Sequence, residues 1–265
     1  MELAPVQKQS VSGIPCLELV SLKECPQPNR GGLVDPERGT DTELIVVGLF
    51  SIHRLVVCSP FEKVFLIQTL CGRFSQHRIE RTGIEPGDVV LVMGSGPIGI
   101  FAQQVAKASG ASLVIAAELK QSRLDLAKRI GPADVYVNTE EDIVKRTMEL
   151  TNGRGADAVI ELAGVPITIR QAFQALKKTG RVGLVGLPEK PVEIETTSMI
   201  IYKEATVSGS TGRSMFGTWE RIASLVANRR VNLTGVITDR LPLEKAEDGF
   251  QRVMEGESGK VLFAP

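Results

Sequence analysis

From residue 82 onward, short apolar runs alternate with stretches in which apolar residues recur at helical spacing. The first run, 89–93, follows a Pro-Gly turn, and Ile98, Phe101 and Val105 then fall on one helical face. Continuous apolar runs of this length are typical of buried parallel strands. The pattern predicts strands at 89–93, 113–117, 135–137, 158–162, 182–185, 206–209 and 260–263, helices at 97–109, 121–130, 140–151, 167–176, 216–227 and 244–255, and a turn around Pro242.

Repeated strand–helix–strand units predict right-handed crossovers and a parallel sheet that helices cover on both faces. We therefore expect an α/β fold, a Rossmann-type doubly wound parallel sheet of about six strands. Residues 1–80 show no sustained period, and 26–41 are rich in Pro, Gly, Asn and Asp. The predicted organisation is an incomplete or rearranged N-terminal region (1–80), a dinucleotide-binding domain (81–229) and a C-terminal segment (230–265).

Composition and charge restrict the partners of the chain. The 265 residues are 43% hydrophobic and 23% charged, and 31 basic residues balance 31 acidic ones. Residues 1–80 hold 8 basic and 9 acidic side chains, so neither part has the basic excess that nucleic-acid binding requires. No apolar run has the length of a membrane span, and no secretory signal pattern opens the chain. We expect a cytoplasmic protein without nucleic-acid or membrane partners.

Cysteine and histidine are confined to the first 80 residues, at Cys16, Cys25, Cys58, Cys71, His53 and His77. The rest of the chain therefore has no thiolate or imidazole for metal binding, covalent catalysis or proton transfer. The spacing His53-x4-Cys58-x12-Cys71-x5-His77 offers four ligands but lacks the C-x2-C pair of a zinc knuckle. Apolar neighbours suit buried structural cysteines equally well, so no metal site is predicted, and the cysteines are expected to be reduced thiols.

The stretch Gly94-Ser95-Gly96-Pro97-Ile98-Gly99 is a G-x-G-x-x-G motif between a predicted strand and a predicted helix. Its glycines permit a tight turn, close backbone approach to a pyrophosphate, and close packing of the helix on the strand. The helix N-terminus directs backbone N–H groups and a positive dipole end at the phosphates. Glu118 ends the next strand, where a carboxylate accepts from the adenosine ribose and repels a 2′-phosphate, which favours NAD over NADP. Arg123 is a further candidate for the ribose or the phosphate.

These features do not point to a dinucleotide alone. Methyltransferases bind S-adenosylmethionine on a similar strand, glycine-rich turn and helix, with an acid after the second strand. The regular alternation of strands and helices fits either class.

From His77 to Pro265 the chain resembles the medium-chain, zinc-type alcohol and polyol dehydrogenases. The segment 211–219, of sequence TGRSMFGTW, is most similar to the L-threonine 3-dehydrogenase branch of that family. The other matching pieces occur in the family's order: Gly83-Ile84-Glu85-Pro86-Gly87-Asp88, the Gly94–Gly99 loop, Asn152-Gly153-Arg154-Gly155-Ala156-Asp157, Glu161-Leu162-Ala163-Gly164, Gly180-Arg181-Val182, Val185-Gly186-Leu187 and Ser258-Gly259-Lys260-Val261.

The resemblance implies hydride transfer from a secondary alcohol, a polyol or a threonine-like substrate, to NAD. It implies that 185–187 lie beside the nicotinamide through backbone groups and that Ser210 and Thr211 close that pocket. Met215, Phe216 and Trp219 are interpreted as core-facing. The predicted cofactor-binding residues are Gly94, Gly96, Pro97, Ile98, Gly99, Glu118, Arg123, Val185, Gly186, Leu187, Ser210 and Thr211.

The chain departs from the family at the metal. In the family an N-terminal catalytic domain holds zinc with a Cys, a Gly-His-Glu motif and a further acid, and this chain contains no Gly-His-Glu. Zinc is therefore implied by the resemblance but not supported by the sequence, and no catalytic residue is identified. Two hypotheses follow, an active dehydrogenase and an inactive NAD-binding remnant whose catalytic domain is truncated or rearranged.

The resemblance also implies two pairings at strand edges. The last strand, 260–263, returns to the catalytic domain in the family, so here it should pair with part of residues 1–80 or remain an open edge. The family pairs the edge strand 206–209 across a dimer. We therefore expect a homo-oligomer, a dimer or a tetramer.

Overall fold

The computed structural model describes residues 45–47, 79–210, 217–256 and 258–264. Residues 79–82 are helical and precede the first long strand. Short helical turns occupy Thr197–Ile201, Thr234–Val236 and Leu243–Lys245. The other elements are strands β1 (Ile45–Val47), β2 (Val89–Met93), β3 (Leu113–Glu118), β4 (Val135–Asn138), β5 (Ala156–Glu161), β6 (Leu176–Leu184), β7 (Thr206–Gly209), β8 (Ile237–Pro242) and β9 (Lys260–Ala264), and helices α1 (Pro97–Ala108), α2 (Gln121–Ile130), α3 (Ile143–Leu150), α4 (Pro166–Ala175), α5 (Gly217–Ala227) and α6 (Ala246–Glu255).

Six strands form one parallel sheet in the order β4-β3-β2-β5-β6-β7. β2 and β5 lie at its centre, and the chain order reverses between them. The apolar runs of the central strands are buried on both faces, as Val90, Leu91 and Val92 in β2 show, whereas the edge strand β7 is largely exposed. This confirms the predicted doubly wound α/β fold.

Helices cover both faces of the sheet, because alternate side chains of each strand point to opposite sides. Val90 and Val92 pack in one core with Phe101 of α1 and Ile222 of α5. Leu91 and Met93 pack in the other core with Phe173 of α4, and α3 contributes to the same side. The carboxyl ends of all six strands therefore share one edge. In open α/β sheets the ligand-binding crevice lies at this edge, where the strand order reverses.

A second, three-stranded sheet has the order β1-β9-β8. β8 runs parallel to β9, and β1 runs antiparallel to it, with Val46 opposite Leu262. α6 packs on this sheet, and Phe250 stacks on Phe263 with ring centroids 6.2 Å apart. Of the two alternatives predicted for the last strand, pairing with a segment of residues 1–80 or an open edge, the structure shows the first, at Ile45–Val47.

Several predicted element limits are wrong. The helix predicted at 140–151 is α3, which begins at Ile143 because the Asp142 carboxylate accepts from the N–H groups of Val144 and Lys145 at 3.0 and 3.1 Å. The helix predicted at 167–176 is α4, and the strand predicted at 182–185 begins at Leu176, which pairs with Ala156.

The C-terminal segment also differs from its prediction. The turn predicted around Pro242 is the end of β8, which the pattern missed because three polar residues interrupt its apolar positions. The helix predicted at 244–255 is the turn Leu243–Lys245 followed by α6. In the part of the chain that the structure describes, no helix combines the length and the apolar character needed to cross a membrane.

Candidate cofactor-binding site

The Gly94–Gly99 loop joins the central strand β2 to α1 at the edge where the strands end. Gly94 has φ +101°, a conformation that side-chain-bearing residues rarely adopt. A Cβ on Gly99 would lie 1.9 Å from the carbonyl oxygen of Gly94, so only glycine allows α1 to start this close to the strand. A Cβ on Gly96 would meet nothing within 4 Å, and Pro97 opens the helix. The backbone at Gly96 thus borders open space at a helix N-terminus.

A network of buried polar groups is hydrogen-bonded to this loop and fixes its position. The Glu118 carboxylate, at the end of β3, accepts from the N–H of Ser95 at 2.8 Å. It also accepts from the N–H groups of Leu119 and Lys120 at 2.9 and 3.0 Å. The Gln103 amide of α1 donates to the Ser95 hydroxyl at 3.0 Å, and both side chains are fully buried. The sequence predicted that Glu118 lies near the loop. It did not predict that the hydrogen bonds described for the Glu118 carboxylate come from backbone N–H groups.

Arg123 lies on the same side of the loop, in the first turn of α2. Its Nη2 atom is 3.0 Å from the position that a Cβ on Gly256 would take, and its Nε is buried with no hydrogen-bond partner among the described residues. Lys120 donates to the backbone oxygen of Glu255. The end of α6 therefore lies beside Glu118 and Arg123. No pattern in the sequence indicated this contact.

On the other side of β2, two loops meet after β5 and β6. A Cβ on Gly186 would lie 2.1 Å from the Gly164 nitrogen, so the two backbones are in direct contact. Val185 is nearly buried, whereas the side chain of Leu187 is 65% exposed at the crevice. The structure thus brings 185–187 to the same edge as the glycine loop.

Glu161 lies under these two loops, and sequence reasoning gave it no role. It is fully buried, and one carboxylate oxygen accepts from the N–H groups of Ala163 and Gly164, each at 2.9 Å, and from the Thr168 hydroxyl at 2.8 Å. Burial raises the pKa of the Glu161 carboxyl above its ordinary value, although these three donors act in the opposite direction. The available signal was an acid directly after the apolar run 158–160 of a predicted strand.

The far end of the crevice is formed by Ser210, which follows β7. Its N–H donates to the Leu184 oxygen at 3.1 Å, while its hydroxyl is buried without a hydrogen-bond partner in the described ranges. Thr211, Met215 and Phe216 lie outside the described residues, as does the side chain of Trp219. The predictions made for them stay predictions.

The donor set suits a dinucleotide better than a metal. Among the described residues, buried polar atoms without hydrogen-bond partners occur at Arg123 and Ser210, and the Gly96 backbone borders open space. No group of three or more His, Cys, Asp or Glu side chains with metal-binding geometry occurs in the described part of the chain. The His53, Cys58, Cys71 and His77 set lies outside it.

Comparison with known proteins gives consistent results. Residues 97–228 match the family model described as zinc-binding dehydrogenase. An L-threonine 3-dehydrogenase from Bacillus licheniformis is 45% identical over 184 residues, 69% of this chain and 53% of the relative. One from Pyrococcus abyssi is 41% identical over 179 residues, 67% of this chain and 51% of the relative. The chain therefore spans about half the length of the curated relatives it matches.

Solved structures show the same likeness. An alcohol dehydrogenase from Thermotoga maritima superposes with a TM-score of 0.67 at 29% identity, covering 74% of this chain and 55% of that one. A 2R,3R-butanediol dehydrogenase from Bacillus subtilis gives a TM-score of 0.67 at 29% identity, covering 74% and 56%.

Proposed function

The matched part of this chain belongs to the zinc-binding dehydrogenase family, and we propose that the chain is an NAD-dependent oxidoreductase acting on a secondary alcohol. Members of this family use NAD(P), and often zinc. The names of the curated relatives make L-threonine the first candidate substrate, ahead of polyols.

One observation supports the cofactor proposal above the others. The tight Gly94–Gly99 turn at a helix N-terminus lies next to a buried acid at the end of the neighbouring strand, the arrangement that binds a pyrophosphate and an adenosine ribose. We assign the pyrophosphate to the backbone around Gly96, and the ribose to Glu118 and Arg123. The Glu118 carboxylate repels a 2′-phosphate, so the chain should prefer NAD to NADP.

The order of the strands determines in which direction the proposed cofactor lies across the edge of the sheet. Glu118 ends β3 on one side of the loop, whereas 185–187 and Ser210 follow β6 and β7 on the other. A dinucleotide whose ribose meets Glu118 therefore extends its nicotinamide toward 185–187. When bound, NAD supplies the hydride acceptor, and the chain's part is to orient the ring and to exclude water from the face beside Leu187.

A second candidate function is NAD binding without turnover. It is favoured by the lack of a metal-binding cluster in the described ranges, because the described residues place no group that would polarise an alcohol oxygen. For that reason the role proposed for the described residues is to bind and orient the cofactor. The relatives named above are dehydrogenases, which does not favour S-adenosylmethionine binding.

A turnover assay separates the two candidates. With NAD and added zinc, we expect L-threonine to produce NADH, followed by its absorbance, at a rate proportional to the amount of protein. A matched reaction with 3-hydroxybutyrate, which lacks the amino group, and one with sorbitol define the substrate class. Saturable NADH binding with no NADH production from any of these alcohols would favour the non-catalytic candidate.

A further inference from the structure

Glu161 connects the two loops at the nicotinamide end of the crevice through both its side chain and its backbone. Its side chain accepts from the N–H groups of Ala163 and Gly164, in the loop after β5. Its backbone oxygen accepts from the N–H groups of Val185 and Gly186, in the loop after β6, at 2.9 and 3.0 Å. One residue thus fixes four backbone N–H groups across both loops.

The two loops pack closely against each other at this contact. A Cβ on Gly164 would lie 2.7 Å from the Leu187 nitrogen, and one on Gly186 would lie 2.7 Å from the second carboxylate oxygen of Glu161. That second oxygen, Oε2, is buried and has no hydrogen-bond partner among the described residues. The carboxyl group therefore packs directly against the backbone that presents 185–187 to the crevice.

We propose that Glu161 is a positioning residue for the nicotinamide ring, acting through the backbone of Gly164 and Gly186. The inference rests on the proposed function, because it requires a dinucleotide in the crevice. Removing the acceptor would leave the Ala163 and Gly164 N–H groups without the partner they now have, and the loops would move to find another. None of the hydrogen bonds described for Glu161 reaches α2 or the Gly94–Gly99 loop, where the adenosine end is proposed to bind.

The acceptor role of Glu161 needs only one of its two carboxyl oxygens. All three donors, the N–H groups of Ala163 and Gly164 and the Thr168 hydroxyl, reach Oε1. None of the ion pairs in the described ranges involves Glu161, and burial raises the pKa of its carboxyl group. Glutamine reproduces this acceptor with nearly the same shape, whereas leucine does not.

The test compares two probes, NADH and ADP-ribose, which lacks the nicotinamide. For Glu161→Leu we expect NADH affinity to fall about tenfold while ADP-ribose affinity changes less than about twofold. Glu161→Gln should bind both within about twofold of the unaltered chain. Val159→Ala, in the same strand and also fully buried, is the control for a general loss of stability and should leave the ratio of the two affinities unchanged.

The results of this test distinguish a failure of the proposed function from a failure of the positioning role. Unaltered protein that binds neither probe overturns the proposed function itself. Two results would overturn the positioning role while leaving the proposed function intact. One is an equal loss of NADH affinity and ADP-ribose affinity in Glu161→Leu. The other is a loss of NADH affinity in Glu161→Gln as large as that in Glu161→Leu. If Glu161→Leu does not fold, Glu161→Asp replaces it, because the shorter acid withdraws the acceptor yet keeps the carboxyl group. Glu161→Asp should lower NADH affinity about threefold and leave ADP-ribose affinity unchanged.

Discussion

Gly96→Ala should lose NADH affinity by about a hundredfold while its melting temperature stays the same or rises slightly. The structure shows open space around the Cβ position, and Gly96 has φ −65° and ψ 179°, which alanine adopts without strain. A methyl group there would stand where we place the pyrophosphate against the backbone. Alanine also restricts the unfolded chain, which stabilises a protein by about 0.4–1 kcal/mol at compatible positions. Fluorescence titration and thermal melts measure the two effects.

Gly99→Ala is the matched comparison, three residues away. It should lose NADH affinity and also have a lower melting temperature. Its Cβ would meet the Gly94 oxygen at 1.9 Å, so the loop or α1 must shift. Overpacking of this kind costs about 1–3 kcal/mol, and the shift also displaces the backbone that is proposed to hold the phosphates. A Gly96→Ala protein that binds NADH normally would show that the pyrophosphate lies elsewhere. A Gly99→Ala protein of unchanged stability would contradict the packing described for the loop.

Val207→Lys should convert a dimer into a monomer. β7 is an edge strand of the described six-stranded sheet, and Val207, Ile201 and Tyr202 expose 40%, 62% and 71% of their surface beside it. We propose that this edge pairs with β7 of a second copy, as the family resemblance implies. Lysine on an edge strand opposes such pairing, because two positive charges would face each other across the two-fold axis.

Light scattering gives the mass directly. We expect twice the chain mass for the unaltered protein and a dimer dissociation constant raised on the order of a hundredfold in Val207→Lys. Met254→Lys is the control, because Met254 is 72% exposed but lies on α6, which packs on β8 and β9 instead. A monomeric unaltered chain, or equal effects of the two lysines, would contradict the pairing.

The features predictable from sequence are those that depend on neighbours in the chain. The apolar runs determine the parallel strands, and the glycine spacing determines the turn between β2 and α1. Glu118 was placed correctly beside that turn because adjacent parallel strands end at the same edge. Its hydrogen bond to the Ser95 N–H was not predictable, because it depends on the depth at which the side chain is buried.

The features that were missed depend on contacts between distant segments. Gly256 reaches Arg123 only because the end of α6 lies against the start of α2. The role of Glu161 appears only when the loops after β5 and β6 lie against each other. β8 was missed for a different reason, since Thr238, Asp239 and Arg240 remove the apolar run that would identify it. Pairing with β9 makes this segment a strand, and that pairing is a tertiary contact.

The measurement that tests the central claim most directly is a fluorescence titration of the unaltered chain with NADH, with NADPH and S-adenosylmethionine as competitors. We expect a saturable change with NADH, at least about tenfold weaker binding of NADPH because of the Glu118 carboxylate, and no displacement by S-adenosylmethionine. A chain that gives no saturable change with NADH, or that releases NADH when S-adenosylmethionine is added, would contradict the assignment of this crevice to a nicotinamide dinucleotide.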